Sequence, residues 1–473
     1  MSTFTEKETP AKNKKRRHPP GPFGNVLWGV LRQFQQSPLG TLVDFQKTYG
    51  DAVRFHAVGP FYGYQFSHPD HHKHILQDNN QNYTKIPHPT MLLIQPVVGN
   101  GLLTSDGDFW RRQRRLAQPA FHRRRIAELG ATMTAATDRM LAKWEAVMHD
   151  NPVQDVDQWI MELTLEIVGR TLFSIDVTQE ADKVGEAFTA VNEHVGALTR
   201  QPFSDRLIRV PFLPMTRKLR RNTAVLDEVV NRIIDERRAM PDAEMPDDLL
   251  TMFMQAQDEE TGEQMDDKQL RDEVMTILLA GHETTAVALT WTFYLLSQHP
   301  TVREALLAEV DGVLNGRLPT INDMPNLPYT TMVIEEAMRL YPPAYAIGRF
   351  GHAPDTVGGY DTTKNAVIIL CPFITHRHPD FWENPETFDP ERFTPERKQE
   401  RPRYAYLPFG GGPRQCIGNN FAMTEAILLL TTICQRFNLD LIDGYQAELH
   451  PLITLRPKHG MPMKLSKRKI ING

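Results

Sequence analysis

Cys416 lies in the run Phe409-Gly-Gly-Gly-Pro-Arg-Gln-Cys-Ile-Gly418. Four glycines and a proline in ten residues let the chain turn sharply and bring its backbone close to a flat ligand. They also let backbone N–H groups be aimed at the sulfur, which holds it as thiolate and tunes its donor strength. Arg414 is suited to pairing with a carboxylate, and Phe409 to packing over the sulfur side. Two plainer readings compete. A glycine-rich turn can carry a buried structural cysteine, because free cysteines are commonly buried. A phosphate loop fits worse, since the Gly-Lys-Ser/Thr ending is absent.

A second group lies on a helical pattern over residues 266–298, with Asp266 and Asp267 suited to its positive N-terminal end. Ala280 and Thr284 are four apart and share a face. Gly281 removes a side chain where a planar macrocycle and a diatomic ligand need room. The Thr284 hydroxyl can bond back to a carbonyl and open the helix locally, leaving a pocket for dioxygen and water. His282-Glu283 raises a zinc-protease motif, but that motif needs a histidine at 286, which is Ala286. The bland reading of the segment is an alanine- and threonine-rich core helix.

These groups must be held by a large fold, and 473 residues, 41% hydrophobic and 23% charged, suit an ordinary globular protein. A net charge of −5 gives no support for wholesale binding to nucleic acid or anionic membrane. Three cysteines argue against a disulfide scaffold and for a reducing, cytoplasmic interior. No stretch carries the roughly 18 uninterrupted apolar residues of a membrane span. Residues 1–18, with KNKKRRH at 12–18, read as a solvated polar tail that ends at Pro19-Pro20-Gly21-Pro22. Residues 47–77 predict short strands and a helix opened by Pro69-Asp70. Residues 106–310 predict helices broken by the proline-rich stretch 202–214, residues 344–375 turn to β-like alternation, and a last helix is expected over about 419–437. The fold class is therefore mainly α with a small β-rich region, in one domain from 19 to 473.

Phe409, Gly412, Arg414, Cys416 and Gly418 stand at the five fixed positions of a cysteine-loop signature, and here the chain resembles the cytochrome P450 family. The resemblance runs from about Pro19 to the C-terminus. It implies haem b buried between the 266–298 helix and the 409–418 loop, with Cys416 as the axial ligand of the iron. Ala280 then faces the haem, and Glu283 and Thr284 match the family's acid–alcohol pair for oxygen activation. Glu336 and Arg339, three apart on one helical face, match a buried pair joined by Arg392 of the Pro390-Glu-Arg-Phe393 segment. As an isolated surface pair they would be worth only about 0.5 kcal/mol. Trp110 and Arg114, one turn apart, match residues that bind a haem propionate, and Arg349 resembles a further propionate ligand.

The implied activity is insertion of one oxygen atom of O2 into an apolar substrate, by hydroxylation or epoxidation. Fatty acids, terpenoids (including carotenoids) and polyketides all suit, fatty acids first among them. The chain has no flavin or ferredoxin signature, so electrons come from a separate donor of ferredoxin or flavodoxin type, served by an NAD(P)H-dependent reductase. A peroxide-using relative would share Cys416 and ordinarily lack the Glu283–Thr284 pair; a haem sensor would need no proton delivery. Arg111, Arg112, Arg115 and Arg123 to Arg125 form a basic patch, by default a solvated face, which in the family receives an acidic electron donor. Residues 86–103 and 200–221 are expected to roof an apolar cavity. His68 and His72 have helical metal-binding spacing, although a solvated helix explains them equally.

Overall fold

The computed structural model describes residues 17–25, 28–58, 61–177, 181–201, 203–257, 262 and 264–468. All but the last two residues of the expected 1–18 tail lie outside it. The helices that frame the site are α1 (Pro89–Val98), α2 (Gly107–Ala117), α3 (Arg123–Val147), α4 (Val156–Leu172), α5 (Ala181–Leu198), α6 (Pro214–Arg238), α7 (Asp267–Gln298), α8 (Pro328–Leu340) and α9 (Asn419–Arg436). Proline opens α1, α6 and α8, where its missing N–H leaves no bond unmade and its fixed φ already suits a helix.

The long α7 is the axis of the molecule. Asp266 caps it by accepting from the Gln269 N–H at 2.7 Å, which satisfies one of the first-turn donors. It packs against α4, α6, α8 and α9, and its buried residues lie on nearly every side, as a core helix requires. Each fully buried Leu, Val, Ile or Phe contributes about 1.5–3 kcal/mol relative to exposure. Among the described residues no helix is long and apolar enough to cross a membrane.

A five-stranded sheet, order β1-β2-β5-β4-β3, flanks the helices. Its strands are β1 (Ala52–Val58), β2 (Phe61–Phe66), β3 (Tyr83–Thr84), β4 (Ile347–Gly351) and β5 (Ala366–Leu370). Only the β2–β5 pair is parallel. Pairing of β3 with β4 brings Lys85, just past β3, toward Arg349 on β4. The hairpin of β6 (Leu449–Pro451) and β7 (Leu455–Pro457) is tied to α7 by Trp291, whose indole N–H donates to the Leu455 carbonyl at 2.7 Å.

Glu336 and Arg339 of α8 are fully buried, not a surface pair. Arg339 donates twice to Glu336, at 2.6 and 2.8 Å. The same carboxylate accepts from the Asp389 N–H at 2.9 Å and lies 3.4 Å from Arg392 Nε. Arg339 also donates to the carbonyls of His376, Pro385 and Thr387. His376 in turn accepts from the Leu407 N–H at 2.9 Å, two residues before Phe409. A buried ion pair is tolerable only when its hydrogen bonds are this complete, and here they fix the strap that leads into the cysteine loop.

Candidate functional site

The loop closes on itself, the Cys416 N–H donating to the Phe409 carbonyl at 2.9 Å. Gly412 has φ +66°, and a Cβ there would lie 1.8 Å from the Leu76 carbonyl oxygen. That glycine serves the close approach of the loop to the π-helical turn His74–Asp78, a use different from the expected approach to a flat ligand. Cys416 opens onto a cleft of about 1050 Å³, yet the protein around it still pushes its thiol up. The Gly418 N–H, Arg114 and Lys85 act in the opposite direction. Cys371 and Cys434 are buried, and burial pushes both up to about 12, so neither has thiolate character.

Beside the sulfur the chain gathers more positive charge than it neutralises. Arg414 donates to the Ser105 carbonyl at 2.6 Å, pairs with Asp106, and lies 4.0 Å over the Trp110 ring. Its Nη1 is buried with no partner. Arg114 donates to the Gln415 carbonyl at 2.8 Å. Arg349, 6% exposed, donates to the Gly348 carbonyl, and burial pushes it down to about 10. Lys85 donates to the Leu103 carbonyl at 2.8 Å; burial, Arg349 and Arg414 hold it well below its ordinary value. Among the described residues one carboxylate, Asp106, stands against the four basic groups Lys85, Arg114, Arg349 and Arg414. Such a cluster calls for an anion. The two propionates of a haem would answer that need, and the residues fit the group.

Lys85 and His88 escaped sequence reasoning. The buried His88 Nε2 has no partner, and burial with Arg349 pushes the ring down to about 4. Neither residue belongs to a motif; only the β3–β4 pairing brings them to the arginines.

On α7, His282, Glu283, Thr285 and Ala286 are buried, while Ala280 is exposed and Gly281 and Thr284 partly so. The Thr284 hydroxyl donates to the Ala280 carbonyl at 2.9 Å, and the helix runs on unbroken where a local opening was expected. Gly281 does not make room for a ligand: a Cβ there would meet Val168 of α4 at 3.0 Å. Its role is close helix packing, sealed by the Thr164 hydroxyl donating to the His282 carbonyl at 3.0 Å. Glu283 and Thr284 diverge. The carboxyl turns toward α5 and the β6–β7 turn, where its Oε1 accepts from Asn192 Nδ2 at 2.5 Å and Thr454 Oγ1 at 2.8 Å. Burial pushes Glu283 up to about 7, against the nearby Arg456 and the two hydrogen bonds. Asn192 and Thr454 were also invisible in sequence, because neither belongs to a motif and the carboxyl each one meets lies on another element.

The basic patch borders the cysteine cleft except at Arg112, which reaches instead to Gln269 of α7 at 3.5 Å. Arg114, Arg123, Arg124 and Arg125 line the same cleft as Cys416, and Arg111 and Arg115 line the adjoining hollow. The histidine cluster is otherwise engaged. His68 accepts from the Asp70 N–H as a helix cap, His72 is buried with Nε2 2.9 Å from the Phe66 carbonyl, and His74 meets Asp355 at 2.7 Å. Among the described residues no group of three or more His, Cys, Asp or Glu is arranged to hold a metal ion.

Comparison with known proteins bears on the whole chain. The family model described as cytochrome P450 matches residues 19–461. Cyclooctatin synthase of Streptomyces melanosporofaciens is 38% identical over 93% of this chain and 94% of its own length. Pentalenene oxygenase of Streptomyces avermitilis is 34% identical, covering 94% of this chain and 96% of its own. The crystal structure of a cytochrome P450DA heme domain superposes with a TM-score of 0.86 at 27% identity, covering 97% of this chain and all of that one. With this fold, this cysteine loop and these relatives, the chain belongs to the cytochrome P450 family, the haem b monooxygenases that insert one atom of dioxygen into apolar organic substrates.

Proposed function

We propose that this enzyme oxygenates a terpenoid, drawing electrons from a small acidic donor of ferredoxin or flavodoxin type that an NAD(P)H-dependent reductase recharges. Haem bound here supplies oxygen binding and electron storage, held by Trp110, Arg114, Ala280, Arg349, Phe409, Arg414, Cys416 and Gly418, with Lys85 and His88. Cys416 is the metal ligand, its thiolate favoured by the Gly418 N–H and by the charges of Arg114 and Lys85. Thr284 spends its proton on the Ala280 carbonyl, so its oxygen accepts from a water and aims it at the face of α7 that Ala280 leaves open. Glu283, with a pKa of about 7, takes up and releases protons near neutral pH. These two residues form the catalytic pair. The crowding of four basic groups around one carboxylate beside Cys416 is the observation that carries the site.

The terpenoid reading moves ahead of the fatty acid on the relatives, one of them named for oxygenating pentalenene over nearly the whole chain. Buried Leu93, Ile94, Val97 and Val98 of α1 support an apolar roof. Titrating the ferric protein against terpenoids, fatty acids and polyketides should give the low-to-high-spin shift with terpenoids at the lowest concentration. A shift with fatty acids alone would refute the assignment.

The donor reading rests on Cys416 and the arginines sharing one cleft, since a protein docked there sits closest to the sulfur. Charge reversal of Arg111, Arg115 and Arg123 to Glu should slow the first reduction at least ten-fold and weaken its salt dependence, because exposed charges are screened beyond about 8–10 Å at physiological salt. Peroxide-driven turnover should be unchanged; equal loss in both assays would count against docking. We place the enzyme in the cytoplasm, as its three unbridged cysteines favour, and assign residues 19–473 to one haem domain behind a polar tail. Cell fractionation and limited proteolysis test these two assignments.

A further inference from the structure

We infer that Asn192 and Thr454 are positioning residues for proton delivery, an assignment that rests on Glu283 being the proton source: together they make Oε1 of Glu283 the permanent acceptor and leave Oε2 to carry the proton. Glu283 comes from α7, Asn192 from α5 and Thr454 from the turn between β6 and β7. Asn192 is fully buried and Thr454 nearly so. The amide of Asn192 has no choice of orientation. Its Oδ1 accepts from the Ile453 N–H at 3.0 Å, and a backbone N–H only donates, so the amide nitrogen must face Glu283. That nitrogen donates to Oε1 at 2.5 Å. The Thr454 hydroxyl donates to the same oxygen at 2.8 Å. Among the described residues no hydrogen bond reaches Oε2. A carboxylic acid keeps its proton on the oxygen that is not already accepting, so two donors on Oε1 place the proton on Oε2.

The two elements that bring these donors are locked together. Gly196, one turn after Asn192, lies so close to the turn that a Cβ there would meet the Leu452 side chain at 2.7 Å. The charged surroundings are few. Arg456 of β7 pairs with Asp157 of α4 at 3.0 Å and donates to Thr189 of α5; it favours the Glu283 anion, while Asp157 opposes it. His282, next on α7, is pushed down to about 4 by burial and stays neutral through the working range. Burial favours the neutral acid, and Arg456 with the two donors favours the anion. Near balance lets the group both hold and give a proton. Removing a donor tips it toward holding.

The experiment is the pH dependence of coupling, product formed per NAD(P)H consumed, from pH 5.5 to 9 in the haem-loaded enzyme with its donor. Thr454→Val removes one donor, and Asn192→Asp replaces the other by an acceptor while still satisfying the Ile453 N–H. Both should shift the profile upward by about one unit or more, since a hydrogen bond to a charged group is worth that much. Thr454→Ser should restore the native profile, which a merely structural role for the turn does not foresee. Haem content and the substrate-induced spin shift serve as the folding controls. Unshifted profiles for Thr454→Val and Asn192→Asp, with Glu283→Gln uncoupled, would overturn the positioning role alone. Full coupling in Glu283→Gln would instead remove the reading on which it rests.

Discussion

Thr284 has one hydroxyl proton, and it is committed to the Ala280 carbonyl. What remains is an acceptor, and an acceptor orders water. Thr284→Ala should therefore bind substrate as tightly and consume NAD(P)H nearly as fast, while product per NAD(P)H falls about ten-fold or more and hydrogen peroxide rises to match, within the range that proton assistance usually contributes. Coupling equal to the native enzyme would refute the role. Cys416, Arg414 and Thr284 were legible in sequence because each sits in a run whose spacing has chemical meaning. Lys85, His88, Asn192 and Thr454 were not, since each is a single residue whose partner lies on another element. Gly281 was legible as a glycine but misread in direction. Whether a missing side chain faces a ligand or a neighbouring helix depends on how α7 is rotated, and the packing of α4 decides that.

At the scale of elements, sequence pattern located the 266–298 helix to within a residue of its observed start and the final helix to within one of its end. Each has a capping or loop signal beside a long periodic run. The three-stranded sheet built from residues 153–155, 437–441 and 462–467 left no such trace because its strands pair across remote stretches of sequence, and the π-helical turn His74–Asp78 left none because one turn is too short to show a period of its own. The α7–α9 interface holds a further buried carboxyl. Glu425 is fully buried and pushed up to about 8 by burial, with the Thr285 hydroxyl opposing. An unfolded Glu ionises near 4.3, so between that pH and 8 the folded chain keeps a proton that the unfolded chain has released. Its contribution therefore falls as pH rises, by up to about 1.4 kcal/mol per unit. Glu425→Gln, neutral throughout, should gain thermal stability over the native protein as pH goes from 5 to 8. A difference in melting temperature that does not grow with pH would show that Glu425 is ionised in the fold.

For the whole molecule, Lys85, Arg114, Arg349 and Arg414 arrive from four separate elements and converge on Asp106 and Cys416. Protein prepared without haem should be stabilised by sulfate well beyond the effect of chloride at equal ionic strength, because a bound dianion offsets the repulsion. Haem-loaded protein should show a much smaller difference, and an equal one in both forms would mean that the cations do not feel each other. The same convergence bears on how the enzyme comes into being. A growing chain can bring these charges together only after Arg414, the last of the four, has left the ribosome, and it then needs a dianionic partner to settle them. Haem is thus a reagent of assembly as well as of catalysis. The yield of sound protein in a cell should follow the supply of haem at the moment of synthesis, more closely than it follows the supply of messenger.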